Sequence, residues 1–263
     1  MGLGNAYLKT AAMAAGVIGD SPFFLITYAL RLLRVVVLLA LWRAILGTHT
    51  TQEAGPMPLT SVLTYTLIAE VFAEQLNLRT TLNDAFWEGT LVMRFLRPMG
   101  LVTQLGAEML GRWMIDFALF SLPLLAFAPL FGVDPRPASP TSAVLFVVSL
   151  IMAIAVGLAM EMLFGALVVA LEQPVWLIEW TRIAIGGVLS GSLLPLAYYP
   201  WGIGDVFAWL PFAAMAWAPL AIFTGTGNAL ALLTSQVIWA AVLWPLSRWM
   251  WNVNREKLVS YGG

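Results

Sequence analysis

Long apolar runs follow one another along the chain from Phe23 to Met250, and short polar or proline-rich segments separate them. A helix of about 20 mostly apolar residues crosses the hydrocarbon core of a bilayer. The pattern therefore predicts one all-α membrane domain over residues 1–263, with six transmembrane helices. These are expected at 23–46, 59–78, 101–130, 142–171, 175–198 and 228–250.

The composition supports this prediction and argues against several kinds of site. Hydrophobic residues make up 60% of the chain and charged residues 10%, whereas soluble domains carry roughly 25% charged residues. The chain has no cysteine, which excludes disulfides and zinc–thiolate sites. Its only histidine, His49, lies in a polar loop, where a solvated side chain is expected and not a metal ligand. We therefore expect no enzyme activity, metal or cofactor on this chain. The net charge of −1 argues against a nucleic-acid partner.

The basic residues predict the orientation in the membrane. Six spans place both termini on one side, and segment 1–22 is expected to be a retained cytoplasmic or interfacial segment. The side of the termini carries Lys9, Arg79, Arg94, Arg97, Arg248, Arg255 and Lys257, and the opposite side carries Arg43 and Arg136. Because basic residues accumulate on the cytoplasmic side, both termini are expected in the cytoplasm.

Segment 79–98 is polar enough to leave the bilayer, and 81–97 has the pattern of one short amphipathic helix. Thr81 and Asp84 resemble a capping box at its start. Its apolar face is predicted to contain Leu82, Ala85, Phe86, Gly89, Val92, Met93 and Leu96, and its polar face Asn83, Asp84, Trp87, Glu88, Arg94 and Arg97. Such a helix either rests among lipid headgroups or docks onto a cytoplasmic partner, and periodicity alone favours neither.

The stretch 200–225, before the last span, is apolar but contains Pro200, Pro211 and Pro219. Prolines this frequent are incompatible with one straight helix, and the stretch is too hydrophobic for a free outer loop. A re-entrant helical segment in the outer leaflet, with its broken backbone covered by protein, satisfies both constraints.

Charged residues inside the predicted spans are costly in lipid and therefore informative. Glu108, Arg112 and Asp116 are spaced four residues apart on one helix face, which favours mutual neutralisation over a proton relay. Glu179 and Arg182 are expected to form a similar local pair.

Two acidic and two basic residues in the first two spans have no such local explanation. Glu70 has no basic residue three or four positions away, so it is expected to face a cavity or a partner, while Glu74 is close enough to the cytoplasmic interface to reach it. Arg31 and Arg34 lie early in the first span and are expected to snorkel along the helix.

Three groups of motifs occur in a fixed order over most of the chain. They are Trp87-Glu88-Gly89-Thr90-Leu91 with Phe95-Leu96-Arg97-Pro98; Leu194-Pro195, Pro200-Trp201, Leu210-Pro211-Phe212, Pro219 and Gly225; and Gln236, Trp239, Arg248 and Gly262-Gly263. In this combination the chain resembles the permease subunits of bacterial ATP-binding-cassette (ABC) exporters of the type 2 class, in particular the branch associated with drug and viologen export.

The resemblance implies a permease in a bacterial inner membrane that works with a second, identical or paralogous, permease copy and with two ABC ATPase subunits. Since the sequence has no GxxxxGK[ST] phosphate-binding loop, ATP and Mg are expected on the ATPase. The expected substrate is a small amphiphilic molecule, with a cationic group favoured by the aromatic surface and Glu70. Membrane lipids are the remaining expected partner.

The resemblance also implies roles for particular residues. It places ATPase coupling at Asp84, Phe86, Trp87, Glu88, Arg94 and Arg97, the translocation path at Tyr65, Glu70, Glu74, Ser190 and Ser192, and an outer gate at Pro195, Pro200, Trp201, Pro211 and Phe212. The main alternative is a proton-coupled secondary transporter that uses Glu70, Glu74 and Asp116. An intramembrane enzyme is disfavoured because the chain lacks a complete catalytic set.

Overall fold

The computed structural model describes residues 3–19, 23–47, 56–254 and 256–257. Helices are the only regular secondary structure in the part of the chain that it describes, which confirms the all-α part of the predicted fold class. The predictions for His49, Arg255 and Gly262-Gly263 lie outside the described residues.

The helices are numbered here in chain order. They are α1 (Leu3–Gly19), α2 (Phe24–Leu46), α3 (Leu59–Val71), α4 (Ala73–Leu76), α5 (Leu82–Trp87), α6 (Leu91–Phe95), α7 (Leu101–Asp116), α8 (Leu122–Phe127), α9 (Pro140–Leu171), α10 (Val175–Leu189), α11 (Ile203–Phe207), α12 (Pro211–Met215), α13 (Trp217–Thr224) and α14 (Ala229–Val253). A π-helix, Phe117–Ser121, joins α7 to α8, and short 3-10 helices lie at Ala128–Phe131, Leu196–Tyr198 and Pro200–Gly202.

Four helical stretches of the described residues are long and apolar enough to cross a membrane. They are Leu25–Leu46, Leu101–Phe131, Pro140–Leu171 and Ala229–Val253, which correspond to the first, third, fourth and sixth predicted spans. The second and fifth predicted spans are shorter than expected, because α3 has 13 residues and α10 has 15. A helix of that length covers about 20 Å, less than the roughly 30 Å of the hydrocarbon core.

Helix α3 lies at the centre of the fold, which explains its apolar sequence without lipid contact. Its residues 62–71 are all buried, and it packs against α2 and α13, while α13 packs against α9. A helix that is hydrophobic on all sides is normally buried, and here the neighbouring helices bury most of its surface. Two of its polar side chains also bond within the fold: Thr64 donates to the carbonyl of Asp134 at 2.8 Å, and Thr66 donates to the carbonyl of Val62 in its own helix at 2.9 Å.

The third predicted span is continuous but irregular. Pro123, in the first turn of α8, has no backbone N–H and would clash with the carbonyl of residue 119 in a regular α-helix. The π-helical turn, Phe117–Ser121, widens the helix at this place and lets it continue. The irregularity begins directly after Asp116, which is buried.

The N-terminal segment, predicted only as cytoplasmic or interfacial, contains the helix α1, which packs along α7. The two helices are in close contact where Gly111 meets Ala11, because a Cβ atom at position 111 would overlap the carbonyl oxygen of Ala11. A glycine at this crossing therefore allows the two backbones to touch.

The predicted single helix over 81–97 is wrong. Gly89 has a φ of +67°, a left-handed conformation, and it separates α5 from α6. The turn changes which face is covered, so that Phe86 is buried as predicted whereas Met93 and Leu96 are 62% and 75% exposed. The capping box is also absent, since the hydroxyl of Thr81 donates to the carboxylate of Glu108 instead.

Segment 200–225 is a series of short helices whose breaks follow the prolines. Pro200 and Pro211 each stand at the start of a helix, where a missing N–H costs least. The last of these helices, α13, is buried from Ala218 to Phe223 and contacts α3 and α9. The broken helical character agrees with the prediction.

Candidate functional site

A cavity of about 410 Å³ lies between α2, α3, α4 and α10, with α12 at one end. Its polar lining consists of Arg31, Arg34, Glu70, Glu74, Asn77, Arg79, Arg182, Ser190 and Ser192, and its apolar lining includes Ile183, Leu193, Phe212 and Met215. Ligand-binding pockets of proteins typically enclose about 300–1,000 Å³ and combine these two kinds of surface.

Four of the five residues predicted for the translocation path meet at this cavity: Glu70, Glu74, Ser190 and Ser192. The fifth, Tyr65, is only 1% exposed and does not line it. Its hydroxyl instead donates to the carbonyl of Gly191 at 2.7 Å. Through this bond Tyr65 fixes the loop that carries Ser190 and Ser192 at the cavity.

The serine loop begins where α10 ends. The backbone N–H of Trp217 donates to the carbonyl of Ser190 at 2.9 Å, and the hydroxyl of Ser190 donates to that of Ser192 at 3.0 Å. Between the serines, Gly191 has a φ of +76°, which only a glycine adopts without strain. The chain thus turns sharply and leaves both hydroxyls at the cavity.

Two arginines of α2 reach across the fold instead of snorkelling along the helix. Arg34 pairs with Glu70 at 2.6 Å, so Glu70 has a basic partner from another helix although none lies nearby in sequence. Arg31 pairs with Asp116 and donates to the carbonyl of Glu70 at 3.3 Å. Its guanidinium also lies over the ring of Phe120, 4.0 Å from the ring centre.

The expected mutual neutralisation of Glu108, Arg112 and Asp116 is wrong. Asp116 pairs with Arg31, as described above, while Arg94 donates to both carboxylate oxygens of Glu108 at 3.0 and 3.1 Å. Arg112 donates to the carbonyl of Arg79 at 2.7 Å. The spacing of four residues puts these side chains on one face, but each finds a better partner on a neighbouring element.

The expected pair of Glu179 and Arg182 is also replaced by a long-range one. Arg182 pairs with Glu161 of α9 at 2.9 Å and donates to the carbonyl of Leu78 at 3.2 Å. Glu161 is 2% exposed, and it accepts bonds from the backbone N–H and the hydroxyl of Thr80 at 3.1 and 3.0 Å. Sequence reasoning missed Glu161, although it is the only charged residue in the most apolar span.

The six residues predicted for ATPase coupling divide into two groups. Phe86 and Arg94 face inwards: Phe86 stacks on Trp251 of α14 with ring centres 6.3 Å apart, and Arg94 holds Glu108. The other four, which we call the α5–α6 patch, are exposed: Asp84, Trp87, Glu88 and Arg97. Trp87 is 73% exposed.

Of the residues predicted for the outer gate, the structure brings one to the cavity. Phe212 lines it and lies close to Gly186 of α10. Pro195, Pro200 and Pro211 shape the helical breaks, and Trp201 is 91% exposed. In the described residues no three His, Cys, Asp or Glu side chains come close enough to hold a metal ion.

A salt bridge outside the spans ties the C-terminal end of the described chain to the end of α9. Lys257 donates to the carboxylate of Glu172 at 2.8 Å and to the carbonyl of Ala170 at 3.2 Å. The hydrogen bond and the positive charge of Lys257 together lower the pKa of Glu172.

A family model described as "ABC-2 family transporter protein" matches residues 24–262 of the chain. The match extends from α2 beyond the end of α14, so it includes the cavity and the α5–α6 patch and leaves out α1. No curated protein and no solved structure matched in the corresponding comparisons.

Proposed function

The chain belongs to the ABC-2 transporter family, and from this premise we propose that it forms the translocation path of an ATP-driven exporter. It is a multi-pass membrane protein of the ABC-2 permease type, and membership of the family implies an ABC ATPase subunit as its partner. ATP and Mg bind to that partner under this proposal, because the chain has no phosphate-binding loop of the GxxxxGK[ST] type.

The observation that carries the proposal is the cavity, where Glu70, Glu74, Ser190 and Ser192 come together from two parts of the chain. Its polar groups and the apolar surface of Phe212 and Met215 suit a small amphiphilic substrate. A cationic group on the substrate binds Glu74, since Arg34 already neutralises Glu70. Segment 195–212 then closes the outer end of the path.

From membership of the family we also infer the oligomeric state, the membrane, the number of spans and the surface that binds the ATPase. The chain works as a dimer with an identical or paralogous permease, in a bacterial inner membrane with both termini in the cytoplasm. Helices α3 and α10 complete the count of six spans, and the family branch is that of drug and viologen export. The exposed α5–α6 patch docks onto the ATPase, while Phe86 on Trp251 connects it to α14.

A reconstituted complex tests this function. The chain is purified together with its ABC ATPase partner, placed in inside-out vesicles and supplied with ATP and a fluorescent amphiphilic cation. We expect uptake that needs both proteins and ATP hydrolysis. Uptake by the chain alone, driven by a proton gradient and independent of ATP, would overturn the proposal.

That second outcome would support the proton-coupled alternative with Glu70, Glu74 and Asp116. The structure provides an argument against it, because Glu70 and Asp116 are each held by an arginine of α2. Releasing a buried carboxylate from its guanidinium partner is costly, so Glu70 and Asp116 are poorly suited to a transport cycle that requires this release. Among these three residues Glu74 is the one without such a partner within the described ranges.

A further inference from the structure

Two side chains of opposite charge line the cavity without a salt bridge or side-chain hydrogen bond to any other part of the described chain. They are Glu74, in α4, and Arg79, in the link between α4 and α5. Building on the proposed function, we propose that the cavity binds a zwitterionic amphiphile. Its cationic group binds Glu74, and its anionic group binds Arg79.

The other charges of the cavity wall are already balanced by protein groups. The pairs are Arg31 with Asp116, Arg34 with Glu70, and Arg182 with Glu161. Three positive and three negative groups cancel, which leaves Glu74 and Arg79 as one free charge of each sign. A ligand with a single charge satisfies one of them and leaves the other without a partner, whereas a zwitterion satisfies both.

The surroundings of Arg79 hold its backbone and leave its guanidinium available. Arg112 donates to the carbonyl of Arg79 at 2.7 Å, which fixes the link in place, while the Arg79 side chain is exposed. Glu74 is half-buried, and the amide of Asn77 lines the cavity with it. A guanidinium with free donors binds sulfonate, phosphate or carboxylate groups well.

The rest of the cavity accommodates an apolar tail. Leu193, Phe212 and Met215 belong to the loop after α10 and to α12, whereas the free charges belong to α4 and the link that follows it. A volume of about 410 Å³ lies near the lower end of the range for drug-sized ligands, about 300–1,000 Å³. We therefore assign the site to a small zwitterionic amphiphile with a single chain, not to a diacyl phospholipid with the same headgroup chemistry.

Direct binding to the full chain tests the inference without the ATPase. The protein is placed in phosphatidylglycerol nanodiscs, and equilibrium dialysis against empty nanodiscs gives the affinity for three radiolabelled probes with the same alkyl chain. The probes are decyl sulfobetaine, decyltrimethylammonium and decyl sulfate. We expect the sulfobetaine to bind most tightly.

Substitutions then assign each charge to its residue. Arg79→Gln is expected to weaken sulfobetaine and sulfate binding about tenfold and to leave trimethylammonium binding unchanged. Glu74→Gln is expected to weaken sulfobetaine and trimethylammonium binding and to spare the sulfate. Arg79→Lys is expected to keep most of the sulfobetaine affinity. Arg248→Gln and Glu256→Gln are the control variants, because these two exposed charges lie outside the cavity.

Equal affinity for the three probes, or equal losses for all probes in both cavity variants, would overturn the inference. Weaker sulfobetaine binding in phosphatidylcholine nanodiscs would show competition by bilayer lipid and overturn the assignment to a small molecule. The affinities are measured without ATP, so the binding test and the transport test fail independently. Absence of ATP-driven uptake would overturn the proposed function but would not change the measured affinities.

Discussion

Arg34 of α2 and Glu70 of α3 form a salt bridge of 2.6 Å at the wall of the cavity. The two side chains differ in exposure, since Glu70 is 7% exposed and Arg34 is 51% exposed. The buried carboxylate therefore depends on the guanidinium for its stability, whereas about half of the Arg34 side chain is exposed. Removing the two partners one at a time should have unequal effects.

Arg34→Gln is expected to destabilise the protein by about 1–3 kcal/mol, because it leaves the carboxylate of Glu70 buried without its positive partner. Glu70→Gln should be milder, and the double variant Arg34→Gln, Glu70→Gln should be more stable than Arg34→Gln alone. Thermal unfolding of the purified protein in detergent measures all three. A double variant as unstable as the sum of the single variants would show that the two residues are not coupled.

Glu161 and Arg182 are expected to contribute more to stability, because both side chains are buried. Arg182→Gln should lower stability by about 3–5 kcal/mol and reduce the amount of protein in the membrane. Glu179→Gln is the matched control, since the neighbouring Glu179 is not the partner of Arg182. Equal membrane levels of the two variants would contradict the structural role of the pair.

Gly111→Ala is expected to weaken the packing of α1 on α7, because the new methyl group overlaps the carbonyl of Ala11. The loss should be about 1–3 kcal/mol and should speed up proteolysis of the N-terminal segment. Gly106→Ala, in the same helix, is the control: a Cβ atom there meets no atom within 4 Å, so alanine should be neutral or slightly stabilising. Faster cleavage in both variants would point to a general effect on α7.

The double variant Asp84→Lys, Glu88→Lys reverses the charge of the α5–α6 patch and is expected to weaken ATPase binding by about 2–5 kcal/mol. Membrane insertion should stay intact, because Leu82, Phe86 and Leu91 still anchor the segment in the fold. Copurification of the ATPase and substrate-stimulated hydrolysis are the measurements, with Glu256→Lys as a control. If both measurements stay at the wild-type level, the segment is only an interfacial anchor.

The bond between Lys257 and Glu172 should make the C-terminal end sensitive to acid. Since the bond lowers the pKa of Glu172 in the folded protein, it is fully formed above the ordinary glutamate pKa and is lost as the pH falls through the lowered value. A spin label at Glu256→Cys, feasible because the chain has no other cysteine, should become more mobile over that range. When Glu172→Gln is combined with the labelled Glu256→Cys variant, the label should already be mobile at neutral pH. A label that is as immobile in the combined variant as in Glu256→Cys alone would contradict the role of the bond.

Four of the six predicted spans match helical stretches of the described residues that are long and apolar enough to cross a membrane, and the second and fifth correspond to the shorter helices α3 and α10. The spans at 23–46 and 142–171 lie within one or two residues of α2 and α9 at each end. Helix α3 has the same hydrophobic character, but its residues 62–71 are buried within the protein. Hydropathy does not distinguish these two environments, because both exclude water.

The sequence by itself determined that the chain is an all-helical membrane protein and that prolines break segment 200–225. Composition and local stereochemistry suffice for these two conclusions. The candidate path residues Glu70, Glu74, Ser190 and Ser192 came from the family resemblance instead. Only the tertiary structure decided that Arg34 neutralises Glu70 and that Glu161 neutralises Arg182. Buried charges pair with whichever opposite charge the packing of the helices brings close, and partners tens of residues apart leave no trace in local spacing.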